Sequence, residues 1–452
     1  MAWKKDKFKN IIKHKSGYTW SKEQETKFPE PKTVRVLTVT NVQKELDLSS
    51  ELYLKDVKET DKVKKAVSKH WSIAVSSNGN RKRIGNAVFI KEDSKYLFAS
   101  FLTAFKPKKN SDILPEYFFR WLKSHPIQER ITAVSEGTTG LGNLDIRFLR
   151  NMDIEYPENP KEQIAIDTIL SKIDETIEAT KNSIKAAEKL KKALMQNLLT
   201  GKLKPDGTWR TEDEFYEDEK FGKVPFEWEV KSIKQLFDFY PTSSYSRSKL
   251  IDDGEIGYIH YGDIHTKFDR ILDLSIESVP FIPNELEKKY EKLKDGDLVV
   301  SDASEDWDGV GKSIEIINSD SKKVIAGLHT LHLRPKSDDL ILGIKGYIMN
   351  LHQVSTSIKR MATGAKVYGV SKSSLSKILL PIPTEPEQQA IKKKLDEISN
   401  ETSHKQIKIK KLQRLKKSLM QNLLTGKVRL PSAFIAQFEN KLEGTSTTTT
   451  AQ

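Results

Sequence analysis

The segment LKKALMQNLLTGKL at residues 190–203 returns as LKKSLMQNLLTGKV at residues 415–428, and only two of the fourteen positions differ. Upstream, EQIAI at 162–166 meets EQQAI at 387–391 at the same offset of 225 residues, without a gap. Stacked-repeat proteins recur every roughly 20–50 residues, so a period this long means a duplicated domain. Whatever one half of the chain folds into, the other half must be able to fold into as well.

Between these anchors the apolar residues fall at alternating steps of three and four, the pattern of an amphipathic helix with a narrow stripe. In the first copy the stripe runs through Ile166, Leu170, Ile173, Ile177, Ile184, Leu194 and Leu198, with Ala187 and Leu190 in the same series. In the second it runs through Ile391, Leu395, Ile398, Ile409, Leu412, Leu419 and Leu423, with Leu415 in series and polar breaks at Thr402 and Lys405. Pro160 and Pro386 suit the entry turns, and Gly201 and Gly426 suit left-handed caps at the exits. About forty residues at ~1.5 Å each make a rod on the order of 60 Å long. A narrow stripe needs a partner, and the nearest is its own duplicate. Near-identity also covers the outward residues Gln196, Asn197 and Lys202 and their counterparts Gln421, Asn422 and Lys427, so something else is expected to touch that surface.

Ahead of each helix lies a segment rich in short β-branched and aromatic runs punctuated by Gly, Asn, Asp and Pro, which reads as several strands with helices between them. The expected class is α+β, with two globular domains, each followed by a long helix. The boundaries are 1–158, a helix over 159–203, a linker and second domain over 204–383, a helix over 384–428, and a tail over 429–452. The tail ends in EGTSTTTTAQ and reads as partly disordered.

The globular halves align weakly. Residues 16–22 parallel 243–249, the strand VRVLTVTNV at 34–42 parallels IGYIHYGDI at 256–264, residues 72–85 parallel 297–311, and 138–144 parallel 362–370. Helices that stayed fixed while the heads diverged suit one common partner and two different targets.

With 76 Lys+Arg against 63 Asp+Glu the formal charge is +13, which favours a polyanion. Arg and Asn match guanine and adenine edges, so Asn78, Asn80, Arg81, Lys82 and Arg83 are candidates for base contact in the first domain, with Asn41, Thr139 and Asn143 as further candidates for DNA contact. Tyr18 and Lys22, like Tyr245, Arg247 and Lys249, suit phosphate positioning. The second domain offers Tyr261, Asp263, His265, Asp302, Lys366 and Tyr368.

The chain contains no cysteine, which excludes disulfides, thiolate metal sites and cysteine nucleophiles. No apolar run approaches the roughly 20 residues of a membrane span, and MAWKKDKFKN lacks a secretory core, so a cytoplasmic protein is expected. Catalytic near-matches fail. Gly311-Lys312-Ser313 has Asp306 where a phosphate-binding loop needs glycine. Asp206 lies in a PDGTW turn, while Asp218, Glu219 and Lys220 lie in a solvated charge run. His260 and His265, read as lying on one strand, would face opposite sides and so could not share a metal. Asn159-Pro160-Lys161 and Gly140-Leu-Gly142 fall short of methyltransferase signatures.

Taken together, the paired EQ(I/Q)AI and LKK(A/S)LMQNLLTGK motifs, with GKVPFEWEVKSI at 222–233, resemble the specificity subunits of type I restriction-modification systems, over the whole chain through Leu430. The N-terminus departs from that pattern, holding Trp3 opposite Trp228 without a preceding GKVPFE. The resemblance implies two target-recognition domains in pseudo-twofold repeat, separated by two long antiparallel helices, in a non-catalytic chain that recognises a two-part target in double-stranded DNA. It also implies two methyltransferase subunits clasping the helices, restriction subunits in the full complex, and S-adenosylmethionine, ATP and Mg on those partners, with none on this chain. A stand-alone DNA-binding regulator and a protein-binding scaffold are the alternatives. The first would bind its site with no methyltransferase present, and the second would not retain DNA.

Overall fold

The structure, a computed structural model, describes residues 2–93, 95–135, 140–286 and 290–438. The chain divides into two compact units, residues 1–181 with 407 onward, and residues 182–406.

The first unit is built on a four-stranded antiparallel sheet in the order Ile12–Ser16, Leu102–Pro107, Ser72–Val75, Ala87–Phe89. Ser72–Val75 is buried at every position, as expected of a strand covered on both faces. A second small sheet sets Val34–Leu37 parallel to Leu97–Phe98 and antiparallel to Tyr53–Leu54. Trp3–Lys7 pairs with Asp153–Pro157 and closes the edge.

The second unit repeats this plan. Its main sheet runs Phe237–Tyr240, Thr330–Pro335, Leu298–Ser301, Ser313–Ile317, and adds Ile271–Asp273 as a parallel edge strand. Ile256–Ile259 lies between Phe281–Ile282 and Lys323–Ala326, and Glu229–Ser232 pairs with Leu379–Ile382. The aligned segments therefore occupy matching strands, but the paired strands are shorter than the sequence suggests. Val34–Leu37 gives way to a 3-10 turn at Val39–Asn41, and Ile256–Ile259 to a helix at Tyr261–Thr266. His260 caps that helix by accepting the Gly262 N–H on Nδ1, so His260 and His265 do not share a strand. The charge run at 211–220 is also more than linker, since Phe215–Asp218 pairs with Gly222–Pro225.

The two long helices span Pro160–Leu198 and Glu385–Leu423, 39 residues each. Pro160 and Pro386 occupy their first turns, and Gly201 and Gly426 take φ of 72° and 69° just past their ends. Added Cβ atoms there would press on Pro225 and Trp3 respectively.

The helices run antiparallel within each unit. In the first, Ile166 and Leu170 enter the domain core together with Leu423 and Leu424, with Leu419 against its margin, and Lys416 pairs with Asp174. In the second, Leu198 joins Ile391 and Leu395 in the core with Leu194 at its edge, and Lys405 reaches across to Ser183 at 2.7 Å. The polar break at Lys405 is thus a helix-to-helix hydrogen bond. Ile173, Ile177 and Ile184 are buried, while Ile398, Ile409 and Leu412 are half-buried. Leu190 and Leu415 depart from the stripe and stand 54% and 49% exposed.

The EQ motif locks each helix to its domain. Gln163 accepts the Leu114 N–H and donates to the carbonyls of Asp112 and Pro157, while Gln388 does the same with Ile341, Asp339 and Pro383. Glu162, almost wholly buried, takes two hydrogen bonds from Arg429, whose guanidinium lies over Trp3. Glu387 takes bonds from Arg210 and from the Trp228 indole, with Arg210 over Trp228. Each lock joins a helix start to the segment that follows the antiparallel partner helix.

A titrating group lies beside the first helix. Burial and the nearby Lys416 push the Lys123 amine down to about 8, while its Nζ donates to the Lys44 carbonyl. The unfolded chain then binds more protons than the folded one between about pH 8 and pH 10.5, so this group's contribution to stability rises with pH across that window. Lys123→Met should raise Tm at pH 7 by on the order of 2 °C and flatten the gain between pH 7 and 9.5, as thermal melts at the two pH values would show.

Candidate nucleic-acid interface

Each unit carries a short two-stranded ribbon at the end of its central buried strand. In the first unit Ser77–Asn78 pairs with Gly142–Asn143 just beyond Ser72–Val75. The Asn78 Oδ1 accepts the Asn80 N–H at 2.9 Å, and the Asn80 Oδ1 accepts the Lys82 N–H at 3.1 Å, capping the 3-10 turn Arg81–Arg83. Arg83 is spent on structure, donating from Nη2 to the carbonyls of Val39 and Val42. This leaves Asn80, Arg81, Lys82 and Asn143 exposed and close together. The side chains of Arg81, Lys82 and Asn143 make no hydrogen bond or ion pair among the described residues.

In the second unit Ala303–Ser304 pairs with Tyr368–Gly369. His265 braces the ribbon through Nε2, 3.2 Å from the Ala303 carbonyl and 3.1 Å from the Ser301 Oγ. Gly309 is required here, since a Cβ would meet Ser304 and His265 at under 3 Å. Trp307 stands edge-on to Tyr368 with ring centroids 5.0 Å apart. The loop Glu305-Asp306-Trp307-Asp308 is acidic where its counterpart is basic. Asp306 accepts the Gly309 N–H, and Asp308 pairs with Lys359. Burial pushes the Asp302 carboxyl up, against the opposing influence of His329 3.4 Å away. Lys366 is exposed beside the ribbon.

The copies sort the sequence candidates by what they share. Asn41 and Asp263 fall at equivalent places and are both buried. Asn41 accepts from Thr38 and donates to the carbonyls of Asp47 and Ser50, and Asp263 binds Arg247 and Lys267. Tyr18 and Tyr245 both pack on their unit's smaller sheet, and the Tyr245 hydroxyl is tied to the Leu286 carbonyl. Asn41 and the Tyr245 hydroxyl are committed to backbone groups and the Asp263 Oδ1 to Arg247 and Lys267, while the Asp263 Oδ2 is buried without a hydrogen-bond partner among the described residues. Lys22 and Lys249 stand exposed, Lys22 opening the 3-10 turn Lys22–Gln24 and Lys249 closing the 3-10 turn Arg247–Lys249. Tyr261 packs edge-on to His265 and His329. Thr139 lies outside the described residues.

Phe101 and His329 occupy matching places and escaped the sequence reading. The Phe101 carbonyl accepts from Ser76 as that of His329 accepts from Asp302, and both side chains are about half exposed at the ribbon base. Their signal was available only once the strands were paired, because the copies slip by a few residues between 78 and 101.

On the helices, Gln196, Lys202, Gln421 and Lys427 are exposed and Asn197 and Asn422 half-buried. The Asn197 and Asn422 carbonyls close the C-terminal caps by accepting from Leu203 and Val428. Among the described residues no group of three His, Asp or Glu is placed to hold a metal, and no helix is long and apolar enough to cross a membrane.

The sequence model of the family described as Type I restriction modification DNA specificity domain matches residues 2–189 and again 225–414. The Type I restriction enzyme MjaVIII specificity subunit of Methanocaldococcus jannaschii is 25% identical over 329 residues, 72% of either chain. The putative type I restriction enzyme MjaX specificity subunit of the same organism is 23% identical over 440 residues, 95% of this chain and 94% of that one. The crystal structure of a Type-I restriction-modification system S subunit from M. genitalium aligns with a TM-score of 0.53 at 16% identity, over 93% of this chain and 96% of that one, a likeness of fold.

Proposed function

Since the chain belongs to the family of type I restriction modification DNA specificity domains, we propose that each unit reads one half of a split DNA target through its ribbon and adjoining loop. The observation that carries this reading is the pair of ribbons at the same place on two copies of one sheet, with a basic loop beside one and an acidic loop beside the other. In the first, Arg81 and the amides of Asn80 and Asn143 suit guanine and adenine edges, while Lys22 holds phosphate. In the second, Lys366, Tyr368 and Asp302 take the corresponding part, with Lys249 on phosphate.

Chemistry belongs to partner chains in this proposal. Two methyltransferase subunits bind the matched helix surfaces that include Gln196, Asn197 and Lys202 and Gln421, Asn422 and Lys427. Those subunits use S-adenosylmethionine, and restriction subunits use ATP and Mg, in the cytoplasm where the DNA is. The length of the two 39-residue helices sets how many unread base pairs separate the half-targets.

Deleting seven residues from each helix, 178–184 and 403–409, keeps the stripe in register and removes about 10 Å of rise. The gap should then shorten by about three base pairs, at ~3.4 Å each, or activity should vanish. An unchanged gap, read from the methylated target, would sink the ruler.

A further inference from the structure

One pair of residues fits neither the scaffold nor the divergent readers. Leu141 precedes the ribbon strand Gly142–Asn143 and Val367 precedes Tyr368–Gly369, so the two hold the same position, and they are 41% and 53% exposed. The next inward neighbours, Leu144 and Val370, are buried in both units and behave as ordinary core. A lone exposed aliphatic residue needs no explanation, but an aliphatic residue kept at the same ribbon position in both copies does, because the ribbon residues and loops beside it changed in kind. In the first unit its neighbours are Asn143, Arg81 and Lys82. In the second they are Lys366, Tyr368 and Trp307.

A two-stranded ribbon fits the major groove, and the one apolar group displayed on that floor is the thymine methyl. We propose that Leu141 and Val367 each seat against a thymine 5-methyl group, one in each half of the target. This rests on the DNA-reading role proposed above, and it explains why the position stayed aliphatic in both copies. Phosphate or base-edge hydrogen bonding would select a polar side chain, and core packing would bury it. The contact requires no hydrogen-bond geometry, so it survives the divergence of the neighbouring polar groups.

The test is a uracil-for-thymine scan of the target, with binding by the full chain and its methyltransferase subunits followed by fluorescence anisotropy. One thymine in each half should lose roughly four-fold in affinity on conversion to uracil, the worth of one buried methyl group. Leu141→Ala should lose the sensitivity in its own half and keep it in the other, Val367→Ala should do the reverse, and Leu141→Ile should retain it. Both positions are exposed, so matched thermal melts of variant and parent will establish that folding is unaltered.

The inference is overturned if no thymine responds, if alanine leaves both sensitivities in place, or if 2-aminopurine placed in the target brightens in a Leu141-dependent way, which marks a wedge between bases. Equal binding of target and scrambled DNA by the parent complex would instead refute the DNA-reading role itself.

Discussion

Replacing Asn80, Arg81 and Lys82 together by alanine erases selection at one half of the target and leaves the other half read as before. Each good bidentate side-chain to base pairing contributes about 1–3 kcal/mol of discrimination, so losing Arg81 and Asn80 together relaxes that half by roughly two orders of magnitude or more. The pairing of Asn78 with Gly142 and the Arg83 bonds to the carbonyls of Val39 and Val42 remain, and the structural bond lost is the Asn80 cap on the Lys82 N–H, so matched thermal melts accompany the binding measurement. Competition binding against targets randomised in one half at a time checks this. Relaxation spread over both halves would place the reading surface elsewhere.

The second large effect is on stability. Arg429→Met leaves the Glu162 carboxylate buried without its bidentate partner, and removing one member of such a pair costs about 3 kcal/mol. The first unit, which includes residues 407 onward, should therefore open at lower denaturant, with hydrogen exchange rising around 160–170. Adding Glu162→Gln to Arg429→Met removes the stranded charge and should recover part of the loss. If the single variant melts like the parent, the lock is not structural.

The near-identity of the helix segments is explained from two directions. EQ(I/Q)AI is a domain lock, in which Gln163 and Gln388 satisfy matching backbone groups and Glu162 and Glu387 meet matching Arg and Trp partners. Within LMQNLLTGK, Leu198, Leu199, Leu423 and Leu424 are core and the two glycines are left-handed caps. Gln196, Lys202, Gln421 and Lys427 are exposed, and burial does not account for their identity.

The helices were legible from periodicity because a 39-residue amphipathic stripe carries its signal many times over. What periodicity could not show is that the stripe changes partner along its length, serving a domain core at Ile166 and Leu170 and the facing helix further on. Leu190 and Leu415 fit the period yet face outward, since spacing alone does not say where a packing surface ends.

The reading surface was half legible. Loop composition pointed to Asn80, Arg81 and Lys82, and the strand pairing brings Asn143 beside them. Residue type alone does not show that Asn41 and Tyr245 are tied to backbone groups and Asp263 to Arg247 and Lys267, because a polar side chain held within the fold looks the same in sequence as one facing a ligand. Comparing the copies adds a second signal: Asn41 and Asp263 are polar, buried and at equivalent places, whereas the exposed loops at 80–82 and 305–308 differ in charge.

Mapping modified bases across the genome of cells that carry this chain with the methyltransferase subunits proposed to bind it tests the central claim most directly. The account predicts one motif of two short defined stretches separated by a fixed number of unread base pairs. A single continuous motif, or methylation that does not depend on the chain, would contradict it.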